Sequence, residues 1–371
     1  MSELYDIQIY SALKSFIEKA CNIMENSIRK GESPRHQIKK KVEFSESGMS
    51  VRDLIIPSYD FVIFKNYDEF ENLDEMTEVV EKRLQSKIFP RPSFSQRDGK
   101  PLVDADYIPS LKWSAIQFLF SYIEKNESVE FNESLFNKLY KEYEYYSITK
   151  KVKFNVICNL FNFKSDFDEF KIEDNLFIRK ITTEEYESLY YADVFESRPP
   201  FTFTSNIRFV INTTYESDEP DKYEEKIKEK FYNIISALRL YKEGNLQYNV
   251  IRKFPISWTM GYTPFIGRKR PVIEYGKTYV LNSAESDSFL SFYNKYKESK
   301  NLKHLQISLS RLNFTYDRNR NEDKIIDILI GFESLFIEEK ERPSDRGTFV
   351  GTACSMLIGK TYEDRKKIKK H

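Results

Sequence analysis

The sequence is short of the residues on which several classes of protein depend. Its three cysteines, Cys21, Cys158 and Cys354, are too few and too far apart for a disulfide framework or a paired zinc motif. No stretch approaches about 18 consecutive apolar residues, so we expect no transmembrane helix. Neither His36 nor His304 has a Cys, His or acid at metal-ligand spacing, and we expect no metal and no cofactor. Sparse cysteine and an acidic rather than basic N-terminus predict a cytoplasmic protein.

An excess of one charge is lacking as well. Lys and Arg total 58, and so do Asp and Glu, which excludes a globally basic protein and allows only local basic surfaces for nucleic acid. The remaining composition is ordinary for a globular chain, with 40% hydrophobic and 31% charged residues. At 371 residues, the length predicts about two or three domains.

Apolar periodicity predicts both helices and strands. The clearest strand is 152–160, where Val152, Cys158 and their alternate neighbours share one face, which we expect to be buried. Thr182 and Glu185 have the spacing of a capping box at the start of a short helix. Helices are predicted at residues 4–30, 71–86, 111–125, 132–147, 222–243 and from 285 onward. Strands are predicted at 41–44, 59–65, 152–160, 175–181 and 201–213, with hairpins over 247–281 and a loop at 89–110.

These elements predict an α+β protein. A mixed α/β, sensor-like N-terminal region that contains a β-sheet is followed by an all-α bundle. We divide the chain into a helix-rich region at 1–150, a sheet-containing region at 151–283 and a helical domain at 284–371. The polar sequence "LNSAESDS" marks the last boundary, and no long linker separates the regions.

The most informative stretch is 318–337, "RNRNEDKIIDILIGFESLFI". Apolar residues surround this helix almost completely, which predicts a buried central helix. Asp327 and Glu333 interrupt it, and a buried acid needs a partner. Arg320 and Lys324 are the nearest bases at helical spacing to Asp327. The pair is either a structural ion pair or a group that holds a catalytic residue on a neighbouring helix.

A helix with one side of small residues follows at 347–358, and its glycines have no phosphate-loop order. Thr361 and Asp364 then form a second capping box, which predicts that a new helix begins at Tyr362.

In this order, the segments resemble the Apea-like HEPN family. The resemblance rests on "EDKIIDILIGFESLF", on the small-residue helix ending in "LIG", and on "EDRKKIKK" opening the next helix. The preceding "HLQISLSRLNFTYDR" is similar to the first helix of that family. About 80 residues match well and about 150 more match loosely. The resemblance implies a helical bundle that often dimerises and, in many members, a metal-independent endoribonuclease or a toxin of prokaryotic antiviral defence.

The family's active site is an Arg followed after four to six residues by a His. His can exchange a proton near neutral pH, and Arg can face the charge that develops on a phosphate. Arg365 and His371 satisfy this spacing formally. Six helical steps place them about 120° apart, however, which is poor geometry for one shared phosphate. We therefore expect a chain that ends before the family's Arg…His segment and cleaves RNA weakly or not at all.

Two functions follow as hypotheses. The first is an abortive-infection effector that acts on RNA, such as tRNA or phage RNA, with an unknown trigger ligand or protein for the N-terminal region. The alternative is a non-catalytic regulatory protein that binds RNA or dimerises. Homodimerisation through the helical domain and the absence of membrane contact are expected in both. Residues 361–371 carry five Lys/Arg and two acids, which favours contact with a polyanion.

Overall fold

The computed structural model confirms the α+β class. It describes residues 6–45, 48–86, 107–187, 208–218, 220–258, 265–268, 278–299, 303–336, 346–358 and 360–370. The N-terminal helices are α1 (Ile7–Arg29), α2 (Asp60–Lys65), α3 (Tyr67–Glu71), α4 (Asp74–Gln85), α5 (Tyr107–Asn126) and α6 (Glu133–Thr149). They enclose one apolar core. The predicted helices of this region are confirmed, while residues 87–106 of the predicted loop lie outside the described residues.

Helix α1 begins at a side-chain cap. The Asp6 carboxylate accepts hydrogen bonds from the backbone N–H groups of Gln8 and Ile9, both at 3.1 Å. A stripe of apolar residues three and four positions apart then buries one face of α1 in the core. The helix ends before Gly31, whose φ of +101° suits a residue without a side chain.

A long hairpin separates α1 from α2. Strands β1 (Arg35–Ser45) and β2 (Gly48–Ser58) pair antiparallel with each other as a two-stranded sheet. The prediction of a strand at 41–44 is confirmed, but that at 59–65 is wrong, because Asp60–Lys65 is α2. Val62 and Ile63 are both buried in the core by this short helix, and adjacent apolar residues would face opposite sides of a strand.

The central element is a six-stranded antiparallel sheet in the order β5-β6-β7-β3-β8-β9. Its strands are β3 (Val152–Phe161), β5 (Glu169–Glu173), β6 (Leu176–Lys180), β7 (Phe209–Ser217), β8 (Gln247–Pro255) and β9 (Phe265–Arg268), with β4 (Phe163–Lys164) and β10 (Tyr279–Val280) pairing beside it. The predicted strands at 152–160 and 175–181 are confirmed. The second half of the strand predicted at 201–213 is observed as part of β7, and residues 201–207 lie outside the described residues.

Helices cover one face of this sheet. The predicted inward side of β3, including Val152 and Cys158, packs with helix α7 (Pro220–Tyr241) and helix α8 (Ser286–Ser299) in a second core. Cys158 is fully buried, as predicted. The turn after α7 requires Gly244, where φ is +153° and a Cβ would lie 2.8 Å from the Tyr279 Cα.

Two residues join regions that the sequence analysis separates. Trp258, just after β8, lies in the N-terminal core, where its ring stacks on Phe118 at 5.0 Å. Phe289 of α8 is fully buried in the sheet core, although it follows the predicted boundary at 283. Trp258 therefore crosses the predicted boundary at 150, and Phe289 crosses the one at 283. The three-domain division stays a prediction.

The remaining helices follow as predicted from 285 onward. They are α9 (Lys303–Asp317), α10 (Asn321–Phe336), α11 (Arg346–Ile358) and α12 (Tyr362–Lys370). Helix α10 packs mainly on α9, and α12 on α11. Across the described residues, none of the helices is long and apolar enough to cross a membrane.

Candidate functional site

Asp327 is the one residue of α10 that the structure places in a buried position among those whose burial is described. Its carboxylate accepts a hydrogen bond from Nη1 of Arg311 at 2.8 Å and another from Nε of Arg318 at 2.8 Å. The Asp327 side chain is 1% exposed, whereas those of Arg311 and Arg318 are 33% and 44% exposed. The two guanidinium groups therefore cover and neutralise a carboxylate that would otherwise be buried without a partner.

The expected ion pair at Asp327 is confirmed, but the predicted bases are wrong. The partners come from α9 and from the turn after it rather than from Arg320 or Lys324 on the same helix. The hydrogen bond from Arg318, aided by that from Arg311, lowers the pKa of Asp327 and outweighs the opposing effect of burial. The same contact raises the pKa of Arg318.

Glu333 does not share this environment. It is exposed, so the expectation of a second buried acid is wrong. Six helical steps rotate Glu333 about 120° from Asp327, which turns it away from α9. Arg320 is exposed as well.

The two arginines flank an aromatic ring. Phe314 of α9 is 44% exposed, and the guanidinium carbons of Arg311 and Arg318 each lie 5.8 Å from the centre of its ring. Each arginine uses one nitrogen in its described bond to Asp327, and a guanidinium has five N–H donors. The two cations and the anion lie beside a flat apolar surface, and the carboxylates of Asp323 and Asp317 also act on Arg318. Such a surface can stack a base and hold a phosphate.

The apolar residues of α10 are exposed, so the prediction of a buried central helix is wrong. Ile325, Leu329 and Phe332 are 56%, 52% and 37% exposed, and Ile328 is 43% exposed. These four residues, the α10 stripe, lie about 100–160° from Asp327 around the helix and so face away from it. Helix α9 covers only the Asp327 side, and a helix that is apolar all round needs cover on every side.

Arg365 lies in α12 and is half-buried. The capping box that begins this helix is confirmed, because the backbone N–H of Asp364 donates to Thr361 Oγ1 at 3.1 Å and that of Thr361 donates to Asp364 Oδ2 at 3.3 Å. His371 lies outside the described residues. No distance therefore tests Arg365 and His371 as a pair.

Sequence analysis missed a buried arginine between the sheet region and the C-terminal helices. The Arg239 side chain of α7 is 1% exposed. It donates to the Leu246 carbonyl at 3.1 Å and to Asn313 Oδ1 at 2.8 Å, and it lies 4.2 Å from the centre of the Tyr316 ring. Burial lowers the pKa of Arg239, and Asp317, with its carboxylate 3.8 Å away, opposes that shift. The sequence "IISALRLY" has one charge, that of Arg239, within a largely apolar run, which was the available signal.

A second buried ion pair lies on the sheet face away from α7. Arg179 donates to both carboxylate oxygens of Glu185, at 2.6 and 2.9 Å. The predicted capping box is confirmed, with the Glu185 N–H 3.2 Å from Thr182 Oγ1. Burial would raise the pKa of Glu185, but the hydrogen bonds from Arg179 outweigh it and the pKa is lowered. Asn155 and Asn212 complete the network. Its donors and acceptors satisfy one another, so we assign it to stability.

We predict that Asp327→Asn destabilises the protein by about 1–3 kcal/mol, because the two arginines bond different carboxylate oxygens and the amide would present an NH2 donor to one of them. The pKa of Asp327 is lowered by folding, so its stabilising effect is present above the unfolded pKa of about 3.9 and is lost as the pH falls through the folded pKa. Urea unfolding at pH 7 and at pH 3 measures both effects.

Glu333→Gln is the matched control, since it removes an exposed carboxylate from the same helix. We expect it to change the free energy of unfolding little at either pH. Equal losses for the two variants at pH 7 would contradict the importance of the Asp327 cluster.

Comparisons with known proteins assign no family to the chain. No family model matches it, and neither a curated protein nor a solved structure matches it. The candidate site is therefore defined by its own geometry, with Asp327, Arg311, Arg318 and Phe314 at its centre.

Proposed function

We propose that this protein acts on RNA through its C-terminal helices, as an effector of the HEPN type. The observation that carries this proposal is the cluster in which Arg311 and Arg318 flank the exposed ring of Phe314 while Asp327 holds both guanidinium groups. Guanidinium groups recognise phosphate, and aromatic rings stack on unpaired bases. A fixed arginine loses less conformational entropy on binding than a mobile one.

The order of the four helices also supports the proposal. Helices α9, α10, α11 and α12 lie over the segments on which the resemblance to the Apea-like HEPN family rests. The role in prokaryotic antiviral defence, with RNA such as tRNA or phage RNA as the target, rests on that resemblance alone. Within the proposal, the N-terminal helices and the sheet form the region that responds to a trigger.

We predict that Phe314→Leu weakens binding of single-stranded RNA by about 5- to 150-fold, which corresponds to the loss of one stacked base at about 1–3 kcal/mol. Leucine keeps the apolar bulk but has no ring face. Fluorescence anisotropy with a labelled oligonucleotide measures the affinity. Phe64→Leu is the control, because Phe64 is 58% exposed on α2, far from the C-terminal helices in sequence. If both variants bind like the parent chain, RNA does not stack at Phe314.

For catalysis, we expect the 371-residue chain to cut RNA weakly or not at all. Arg365 lies in helix α12, and two residues six positions apart on a helix lie about 120° apart, which is poor geometry for one shared phosphate. Cleavage of a structured RNA in chelator should therefore be the same for the parent chain, Arg365→Ala and His371→Ala. Efficient cleavage that His371→Ala abolishes would show instead that "RKKIKKH" is the active site.

The α10 stripe favours a second candidate function, that of a non-catalytic protein that dimerises. Ile325, Ile328, Leu329 and Phe332 form a continuous apolar row, and such exposed rows are typical of association surfaces. A second copy of the chain is the partner that the resemblance to the HEPN family implies. Dimerisation is compatible with RNA binding, since the stripe faces away from Asp327 on α10.

We predict that Leu329→Lys converts a dimer to a monomer, because it places a charge in the centre of the α10 stripe. Leu329 is 52% exposed, so the monomer itself should stay folded. Sedimentation velocity over a range of concentrations measures the oligomeric state. Ile7→Lys, at an apolar position of α1 that is 59% exposed, should remain dimeric. A parent chain that is monomeric at all concentrations would rule out this function.

A further inference from the structure

The β1–β2 hairpin is the largest feature of the described chain that the proposed function does not use. Its strands are each 11 residues long and pair only with each other among the described strands. At roughly 3.3 Å per residue, the hairpin extends about 36 Å. An isolated two-stranded sheet is marginally stable, so a ribbon of this length points to a binding role.

The ribbon is more basic than the chain as a whole. Strands β1 and β2 contain five Lys/Arg and two acids, a net charge of +3, whereas the whole chain has equal numbers of basic and acidic residues. Lys41 and Arg52 are exposed and stand directly opposite each other in the strand register. Like charges at opposed positions destabilise a hairpin. Glu43 relieves part of this repulsion through its ion pair with Arg52, whose side chain remains 64% exposed.

The same face continues toward the base of the ribbon. Gln37 and Arg35 lie at alternate positions from Lys41, and both are exposed. The Arg35 guanidinium lies 4.4 Å from the centre of the Phe61 ring, which fixes the base of the ribbon against α2. Lys39 occupies the register position between Gln37 and Lys41. Along β1, polar and cationic positions thus follow this face, while Leu54 and Ile56 of β2 occupy the positions opposite Lys39 and Gln37.

From this arrangement we infer that the β1–β2 ribbon binds the phosphate backbone of a double helix. Its length of about 36 Å corresponds to one helical turn of about 34–36 Å. The major groove of B-form DNA admits a two-stranded ribbon, and the minor groove of A-form RNA is wide and shallow. Lysine and arginine contacts to phosphate release counterions and give affinity without base recognition. This surface is separate from the Phe314 cluster, and the inference does not depend on cleavage.

The test uses the full chain and the double variant Lys41→Gln/Arg52→Gln. The substitutions remove an opposed pair of like charges, so we expect the ribbon to stay folded. A 20-base-pair RNA duplex, a DNA duplex of the same sequence and a single-stranded RNA are the probes. Affinity is measured by fluorescence anisotropy across a range of salt concentrations. The control variant Lys230→Gln/Lys295→Gln removes two exposed charges from helices α7 and α8.

We expect the ribbon variant to bind a duplex at least about tenfold more weakly at low salt, with the slope of log affinity against log salt reduced by about 2. The control variant and Phe314→Leu should bind the duplex like the parent chain. Comparison of the RNA duplex with the DNA duplex shows which kind of double helix the ribbon binds. Loss of binding to either duplex in the ribbon variant supports the inference.

Three outcomes would overturn the inference. In the first, the ribbon and control variants bind the duplex equally, while Phe314→Leu still weakens single-stranded RNA binding; only the ribbon inference then fails. In the second, the ribbon variant loses single-stranded RNA and keeps both duplexes. In the third, the parent chain binds no nucleic acid, which refutes the proposed function as well and makes an acidic protein surface the better partner for the ribbon. Lys41→Arg should keep duplex binding, which separates charge from a loss of folding.

Discussion

The buried guanidinium of Arg239 is the interaction on which the arrangement of the protein depends. A cation with a side chain 1% exposed is tolerated only where acceptors surround it. Those acceptors come from the turn that leads into β8 and from α9, through the Leu246 carbonyl and Asn313. Asn313 in turn donates to Ser236 Oγ at 2.7 Å, and Gln247 donates to the Tyr316 carbonyl at 2.7 Å. The position of the C-terminal helices relative to the sheet is therefore fixed by directional bonds.

Helix α9 takes part in both buried ionic clusters of the C-terminal region. One side of the helix presents Asn313, Tyr316 and Asp317 to Arg239. Another presents Arg311 to Asp327, with Arg318 in the turn just beyond. A shift of α9 along its axis would disturb both clusters at once. Since Phe314 lies between these contacts in the sequence, the candidate RNA-binding ring is carried by a helix that two buried clusters hold in place.

Features set by neighbours in the sequence were predictable, and features set by neighbours in space were not. The capping boxes at Thr182 and Thr361 and the inward face of β3 depend on local spacing, and all are confirmed. That Asp327 needs a base follows from its surroundings, but Arg311 comes from another helix, 16 residues away. The exposure of the α10 stripe could not be predicted from the sequence either. An apolar pattern predicts a helix, but it does not show which sides of that helix other parts of the chain bury. The proposed RNA contact at Phe314 depends on those same distant partners.

The position of Trp258 has a consequence for how the protein unfolds. This ring follows the end of β8, yet it lies 5.0 Å from the Phe118 ring within the N-terminal helices and is 3% exposed. Melting of the sheet would withdraw it and leave a large void among those helices, which costs about 3–5 kcal/mol when a buried Trp is removed. The sheet and the N-terminal helices should therefore lose structure in one cooperative transition. Of the two tryptophans in the chain, Trp113 is already 39% exposed, so the intrinsic fluorescence change should report chiefly on this joint event.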